Sequence, residues 1–159
     1  MENVTAFITD VVSQLHPLVQ FFAVFAVGIV PYLESQIGAF IGAFIGMPFV
    51  LAAAAAIAGN LLALLIADRL GSAAARRIAA RRDPAKSRRR KKVMSKVDRY
   101  GVPAASLLGP FVLATALSTF IMIGAGLDRR KVLIWQTIAV IGWGAVFTAL
   151  GLAARAALL

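Results

Sequence analysis

The sequence contains no cysteine and only one histidine, His16. Without cysteine there is no disulfide scaffold, no thiol chemistry and no cysteine-ligated metal. A single histidine also argues against a histidine-based zinc site and against a Ser–His–Asp triad. We therefore expect a protein that is not an enzyme and that holds no metal and no cofactor.

Charge is scarce and unevenly placed. Charged residues are 15% of the 159 residues and hydrophobic residues are 60%, whereas soluble domains average about 25% charged. Residues 1–68 contain no Lys or Arg, and residues 69–100 hold 13 of the 17 basic residues. Since basic residues between apolar segments favour the cytoplasmic side, the pattern predicts an integral protein of a bacterial-type plasma membrane, with 69–100 in the cytoplasm.

The densest basic run is Lys86–Lys92. Such a run can bind nucleic acid or attract anionic lipid headgroups, the latter at roughly 1 kcal/mol per basic residue. No aromatic residue is interleaved with it to stack bases, so we expect lipid contact and no nucleic acid. The residues expected to contact anionic lipid are Arg88, Arg89, Arg90, Lys91 and Lys92.

The uncharged segments differ in length from simple membrane spans. Three of them lack every Asp, Glu, Lys and Arg: 35–67, 101–127 and 132–154. A spanning helix needs about 20 apolar residues, and the ranges 48–68 and 131–153 each fit one span. The residues just before 48 are too few to cross alone, and Pro110 interrupts the second segment.

Charge indicates how the second uncharged segment lies. Basic residues precede and follow it, so both of its ends favour the cytoplasm and the segment is predicted to be a re-entrant hairpin with Pro110 near its tip. A weak internal repeat predicts a similar hairpin before the first span. The repeat consists of the pairs Pro31 and Pro110, Gly46 and Gly126, and Gly59 and Gly142, which are 79, 80 and 83 residues apart.

The predicted fold is an all-α integral membrane domain over 1–159, built from two inverted repeats. Each repeat is a re-entrant hairpin plus a span, an arrangement found in many secondary transporters. Segment 17–30 is either a hairpin arm, with the N-terminus outside, or a full span, with the N-terminus inside. The expected parts are an N-terminal interfacial helix in 1–16, the first repeat in 17–68, a basic linker with interfacial helices at 73–82 and 92–100 in 69–100, and the second repeat in 101–153.

Glu34 is the strongest candidate for a functional residue. It lies in Pro31-Tyr-Leu-Glu-Ser-Gln36 at the first predicted tip. A carboxylate at hydrocarbon depth is costly and usually functional, and it suits a proton carrier or a cation site. The alternative is a solvated Glu34 in an exposed loop. The candidate cavity-lining residues are Pro31, Ser35, Gln36, Asn60, Pro110, Thr115, Ser118 and Thr119.

These polar residues also have ordinary structural interpretations. Ser and Thr commonly bond back to helix carbonyls, which is the favoured interpretation for Thr115, Ser118 and Thr119. Asn60 and, more weakly, Gln136 could hydrogen-bond between helices. Asp68 is interpreted as an interfacial charge beside Arg69. The glycines Gly38, Gly42 and Gly46 are predicted to form a close-packing helix face and are one candidate contact of a homodimer.

Several of these motifs resemble a known family. Segment 98–153 contains Asp98-Arg-Tyr-Gly, Leu108-Gly-Pro-Phe and Gly124-Ala-Gly-Leu-Asp-Arg-Arg-Lys. It resembles the C-terminal half of the DedA, or VTT-domain (SNARE-associated), membrane proteins, and within them the small multi-drug export protein family. Pro31-Tyr-Leu-Glu-Ser and Ala67-Asp-Arg-Leu-Gly match the first half more loosely.

The resemblance implies paired re-entrant hairpins and transport or lipid translocation coupled to an ion gradient. The acidic residue that matters in the first hairpin of DedA proteins corresponds to Glu34. Two arginines that those proteins carry in the second hairpin are absent from 109–116. Phosphate recognition at that tip is therefore not implied, since arginine is the natural bidentate partner of phosphate.

The sequence thus predicts a small secondary transporter or lipid translocase, proton-coupled through Glu34. Its expected partners are membrane lipids, an unknown small or lipidic substrate and a second copy of the chain. The competing hypothesis is a non-transporting organiser or assembly factor, which would act on anionic lipids through the basic cytoplasmic loop.

Overall fold

A computed structural model describes residues 16–80 and 101–158, and these residues are helical apart from the connecting turns. The predictions for 1–15 and 81–100, including the N-terminal helix, the helix at 92–100 and the basic run Arg88–Lys92, lie outside the described residues. The described helices are α1 Pro17–Ile29, α2 Glu34–Phe44, α3 Phe49–Ala79, α4 Val102–Leu108, α5 Thr115–Gly124 and α6 Arg129–Leu158, with a 3₁₀ turn at Gly109–Phe111 after α4.

Two helices, α3 and α6, are long and apolar enough to cross a membrane. They contain 31 and 30 residues, so each measures about 45 Å. That length matches the hydrocarbon core plus both headgroup layers, about 40–45 Å. Helix α1 has 13 residues, or about 20 Å, and is too short for a core of about 30 Å. The length of α1 therefore favours the hairpin-arm alternative over a full first span.

The first long helix continues beyond its predicted end. The sequence predicted a span ending at residue 68 and a separate interfacial helix at 73–82, but α3 is continuous to Ala79. The segment after Asp68 is rich in Ala and Arg and contains no proline before Pro84. Since Ala and Arg are strong helix formers, the first charges mark a change of surroundings and not the end of the helix. Helix α6 likewise exceeds the predicted 131–153 at both ends.

The chain divides into two compact units, one formed by residues 1–61 with 140–159 and the other by residues 62–139. In the first unit, glycines let α1 and α3 touch through their backbones. A Cβ added to Gly28 would lie 2.4 Å from the carbonyl oxygen of Ala56, and one added to Gly59 would lie 2.1 Å from that of Phe25. Crossings lined by small residues are typical of membrane helices.

The glycine face of α2 also packs inside this unit. A Cβ on Gly38 would meet the Cβ of Ala56 at 3.1 Å, and one on Gly42 would meet the Cβ of Ala52 at 2.8 Å. The predicted close-packing face is therefore confirmed for these two glycines. Its use as a homodimer contact is wrong, because the same surface is already covered by α3 of the same chain.

The turns that follow α2 and α5 have the same geometry. Gly46 and Gly126 have φ angles of 95° and 93°, in the left-handed region that glycine adopts without a steric penalty. The amide of Met47 donates to Gly42 O and the amide of Leu127 donates to Met122 O, each at 3.1 Å. This is the Schellman pattern of a helix C-terminus. Each residue of the second turn lies 80 positions after its counterpart in the first.

A close helix contact recurs in the same register. In the first unit, a Cβ on Gly151 would lie 2.5 Å from the carbonyl oxygen of Phe40. In the second unit, a Cβ on Gly71 would lie 3.0 Å from that of Phe120. Both pairs are again separated by 80 residues. Gly59 and Gly142 do not belong to this repeat, since Gly59 is in tight contact whereas nothing lies within 4 Å of a Cβ on Gly142.

The described interior is made largely of small side chains, and large apolar side chains point outward. Most of the buried hydrophobic residues are alanines, whereas leucines, isoleucines, valines and phenylalanines are exposed along α3 and α6. A soluble protein normally buries its large aliphatic residues. Small residues between helices with large residues outside are typical of a protein surrounded by lipid.

Candidate functional site

Glu34 lies at the start of α2, directly after a tight turn from α1. Pro31 stands in this turn on an exposed position, and the amides of Leu33 and Glu34 both donate to Val30 O, at 3.2 and 3.1 Å. Tyr32 and Glu34 have φ angles of 70° and 50°, which residues with a Cβ rarely adopt. Such strained backbone concentrates at functional sites.

This turn places the carboxylate inside the first unit. Glu34 is 3% exposed, and Ser35 and Gln36 beside it are also buried. The alternative of a solvated Glu34 in an exposed loop therefore does not apply. Pro31, predicted to line the same cavity, is exposed on the turn and is not part of the buried group.

Asn60 of α3 joins this group through Ser35. Its side-chain Nδ2 donates to Ser35 Oγ at 3.2 Å, and Ser35 Oγ donates to the carbonyl oxygen of Val140 at 3.2 Å. The chain thus links α2 to α3 and α6 within the first unit. The structure brings together Ser35 and Asn60, two predicted site residues that are 25 positions apart in the sequence, and confirms a hydrogen bond between helices for Asn60.

Two amide oxygens in this cluster have no partner. Gln36 Oε1 and Asn60 Oδ1 are buried, and no hydrogen bond reaches either atom from the described residues. A buried polar atom without a partner costs free energy, about 1–3 kcal/mol. Together with the carboxylate of Glu34 they supply oxygen acceptors, which suit a protonated group, a water molecule or a hard cation. We call Glu34, Ser35, Gln36 and Asn60 the acidic cluster.

The second unit contains a neutral counterpart on α5 and α6. Gln136 Nε2 donates to Ser118 Oγ at 2.8 Å. Ser118 Oγ and Thr119 Oγ1 donate to the carbonyl oxygen of Thr115 at 3.0 and 2.8 Å. The interpretation that Ser118 and Thr119 bond back to a helix carbonyl is thus confirmed. Gln136 is fully buried, and its Oε1 has no partner among the described residues.

The second hairpin breaks where the sequence predicted. Pro110 lies in the 3₁₀ turn Gly109–Phe111 and is half-buried. Thr115 follows as the first residue of α5. Nothing in this unit corresponds to the carboxylate of the first, because Ala114 occupies the position 80 residues after Glu34.

Sequence analysis missed an ion pair in the second unit. Asp68 is 1% exposed and accepts from Arg129 in a bidentate manner, with Nε to Oδ1 at 2.6 Å and Nη2 to Oδ2 at 2.7 Å. Ser72 Oγ donates to the same carboxylate at 3.4 Å. Asp68 is therefore a buried tie between α3 and the start of α6, and its interpretation as an interfacial charge beside Arg69 is wrong. The partners are 61 positions apart, so no local pattern identifies them.

Within 16–80 and 101–158, no group of three or more His, Cys, Asp or Glu side chains is placed to hold a metal ion. The acidic cluster contributes one carboxylate and neutral oxygens, and the second unit contributes only neutral groups around Gln136. What this arrangement can do chemically is to hold and release a proton, or to bind a cation or a hydrogen-bond donor, at Glu34.

No protein-family model matches the chain, and comparisons with curated proteins and with solved structures found no significant match. The resemblance to the DedA and small multi-drug export proteins therefore stays a prediction. The functional argument depends on the geometry of the chain itself.

Proposed function

We propose that this chain is a small integral membrane transporter or lipid translocase, built from two inverted repeats, whose cycle is coupled to protonation of Glu34. Each repeat comprises a re-entrant hairpin and a long membrane-crossing helix, as in the DedA-like proteins that the sequence resembles. The burial of the Glu34 carboxylate on a strained turn between two short apolar helices is the observation that carries the proposal.

The outward-facing side chains support insertion in a membrane. Exposed leucines, isoleucines and valines on α3 and α6 would face water in a soluble monomer, at a cost of about 25 cal/mol per Å² of apolar area. In lipid the same side chains are solvated by acyl chains, and close packing of Ala and Gly holds the helices together. Helices α1, α2 and α5, each with 10 to 13 residues, are too short to cross.

The register of 80 residues supports the inverted repeat. The repeated Schellman turns and the repeated glycine contacts relate α2 and the helix that follows it to α5 and the helix that follows it. Since 69–100 is basic and follows α3, α3 would run toward the cytoplasm and α6 away from it. Broken helices in such repeats bind substrate near the membrane midplane.

Protonation of Glu34 would change the energy of the first hairpin. An ionised carboxylate in a low-dielectric site needs compensating partners, and a protonated carboxyl can donate to an acceptor such as an amide oxygen. A transport step that exchanges these two states would move one proton per cycle. The carboxylate is present in one repeat only, so the two repeats would play different parts in that cycle.

Proton flux into proteoliposomes tests this function directly. Vesicles containing the full chain and an internal pH dye would be challenged with lipophilic cations and with polyprenyl phosphates, for the wild type and for Glu34→Gln. We expect a flux triggered by one of the two compound classes and absent from Glu34→Gln, because glutamine has the shape of the protonated side chain but cannot titrate.

Two controls make the outcome decisive. Glu34→Asp retains a titratable group and should retain part of the flux. Gln136→Leu changes the neutral cluster of the second unit and should leave titration at position 34 intact. Equal flux from Glu34→Gln and the wild type would refute proton coupling through Glu34. The absence of flux from folded wild type would favour uncoupled lipid movement or an organising role.

A further inference from the structure

The second unit carries an apolar groove on its surface, between α3 and α5. Its volume is about 480 Å³, and a neighbouring hollow on α3 has a volume of about 300 Å³. Leu70 lines both, so the two form one continuous depression. The groove is lined by Leu70, Ala73, Ala74, Arg77, Ile78 and Phe120, and the hollow by Leu65, Ile66, Arg69 and Leu70.

The α3 residues of this depression form one stripe. They recur every three or four positions from Leu65 to Ile78, which is the spacing of a single helix face. The stripe is about 20 Å long, and its two arginines, Arg69 and Arg77, are about 12 Å apart along the axis. One leaflet of hydrocarbon is about 15 Å thick. The stripe therefore runs from hydrocarbon depth into the headgroup layer.

Charge identifies the kind of molecule that fits this depression. Arg77 has no hydrogen bond or ion pair in the described parts of the chain. Asp68, the acidic residue beside Arg69, has both carboxylate oxygens bonded to Arg129. The stripe thus presents guanidinium groups that its own unit does not neutralise, and phosphate is their natural bidentate partner.

The first unit provides an internal comparison. Eighty residues after Leu70 and Ile78 stand Leu150 and Leu158, so the apolar wall recurs on α6. Eighty residues after Arg69 and Arg77 stand alanines, Ala149 and Ala157. Helix packing in the repeat therefore does not require the arginines, which are an addition specific to the groove of the second unit.

We propose that this groove binds one anionic phospholipid, with an acyl chain along the α3 stripe and the phosphate between Arg69 and Arg77. The inference rests only on the membrane insertion contained in the proposed function and is independent of transport through Glu34. Basic pockets between helices on the cytoplasmic side are a known means of headgroup recognition.

Native mass spectrometry of the full chain in detergent tests this site. The protein would be offered phosphatidylglycerol and phosphatidylcholine with identical acyl chains. We expect the wild type to retain one phosphatidylglycerol in preference to phosphatidylcholine. Each arginine near a membrane surface contributes enough for about a fivefold change, so Arg77→Ala should bind about fivefold more weakly and the double variant Arg69→Ala/Arg77→Ala about 25-fold.

Three controls separate the groove from general surface charge. Arg76→Ala removes the same charge from the same turn at an exposed position outside the groove and should leave the preference unchanged. Ala73→Leu fills the groove and should weaken retention with every charge in place. Glycerol phosphate, which has no acyl chain, should not compete.

Equal losses in Arg76→Ala and Arg77→Ala, or unchanged retention in Ala73→Leu, would overturn the site. Competition by glycerol phosphate would overturn a lipid in favour of a free phosphate ligand. Glu34→Gln should retain the lipid, so failure of the transport proposal and failure of this one are distinguishable.

Discussion

Gly59→Ala is the substitution whose effect the structure predicts most clearly. An alanine Cβ at position 59 would lie 2.1 Å from the carbonyl oxygen of Phe25, and this oxygen belongs to the backbone of α1, which cannot move aside alone. Overpacking of this kind costs about 1–3 kcal/mol, while replacing glycine in a helix gains about 1 kcal/mol. With backbone as the obstacle we expect the upper part of that range, and hence a net loss of about 1–2 kcal/mol.

Gly142→Ala is the matched control. It also replaces a helical glycine in the first unit, but nothing lies within 4 Å of the new Cβ. It should stabilise the protein by up to about 1 kcal/mol through helix propensity alone. Unfolding by titration with sodium dodecyl sulfate in detergent micelles, followed by tryptophan fluorescence, measures both variants. A Gly59→Ala variant as stable as Gly142→Ala would refute the backbone contact between α1 and α3.

Two further predictions concern the polar contacts. Ser35→Ala removes the hydroxyl that accepts from Asn60 and donates to Val140 O and should cost about 1–3 kcal/mol, since the buried amide loses its partner; an unchanged unfolding midpoint in the same titration would contradict this. Asp68→Asn and Arg129→Gln should each lower the melting temperature, and Arg129→Gln should do so more because it leaves a buried carboxylate behind. The double variant should be less destabilised than the sum of the two, and strict additivity in this double-mutant cycle would show that the pair does not couple.

Much of the helical organisation could be predicted from sequence, because apolar length and proline position are local signals. The break around Pro110, the turn after Val30 and the positions of the two long apolar helices all follow from such signals. The helix ends could not be predicted as well. Charges after Ala67 suggested the end of a span, whereas the backbone follows helix propensity and continues to Ala79.

The site could be predicted only in part, because its contacts join distant segments. Glu34 was identified from its charge in an apolar stretch, and Asn60 as a polar residue inside a long helix. The bond that joins Asn60 to Ser35, the bidentate pair of Asp68 with Arg129 and the role of Gln136 depend on which helix faces meet. The repeat was noticed through Gly46 and Gly126, but its register of 80 emerges only from the matched turns and from Gly71 and Gly151.

The transport and lipid proposals both depend on the orientation of the two repeats in a membrane, and cysteine labelling measures that orientation most directly. The chain contains no cysteine, so single cysteines can be placed at exposed positions near the two turns and at the second tip, with Pro48→Cys, Arg130→Cys and Val112→Cys. We expect a membrane-impermeant maleimide to label Pro48→Cys only from outside, Arg130→Cys only from the cytoplasmic side, and Val112→Cys from neither. Labelling of Pro48→Cys and Arg130→Cys from the same side would contradict the inverted repeat.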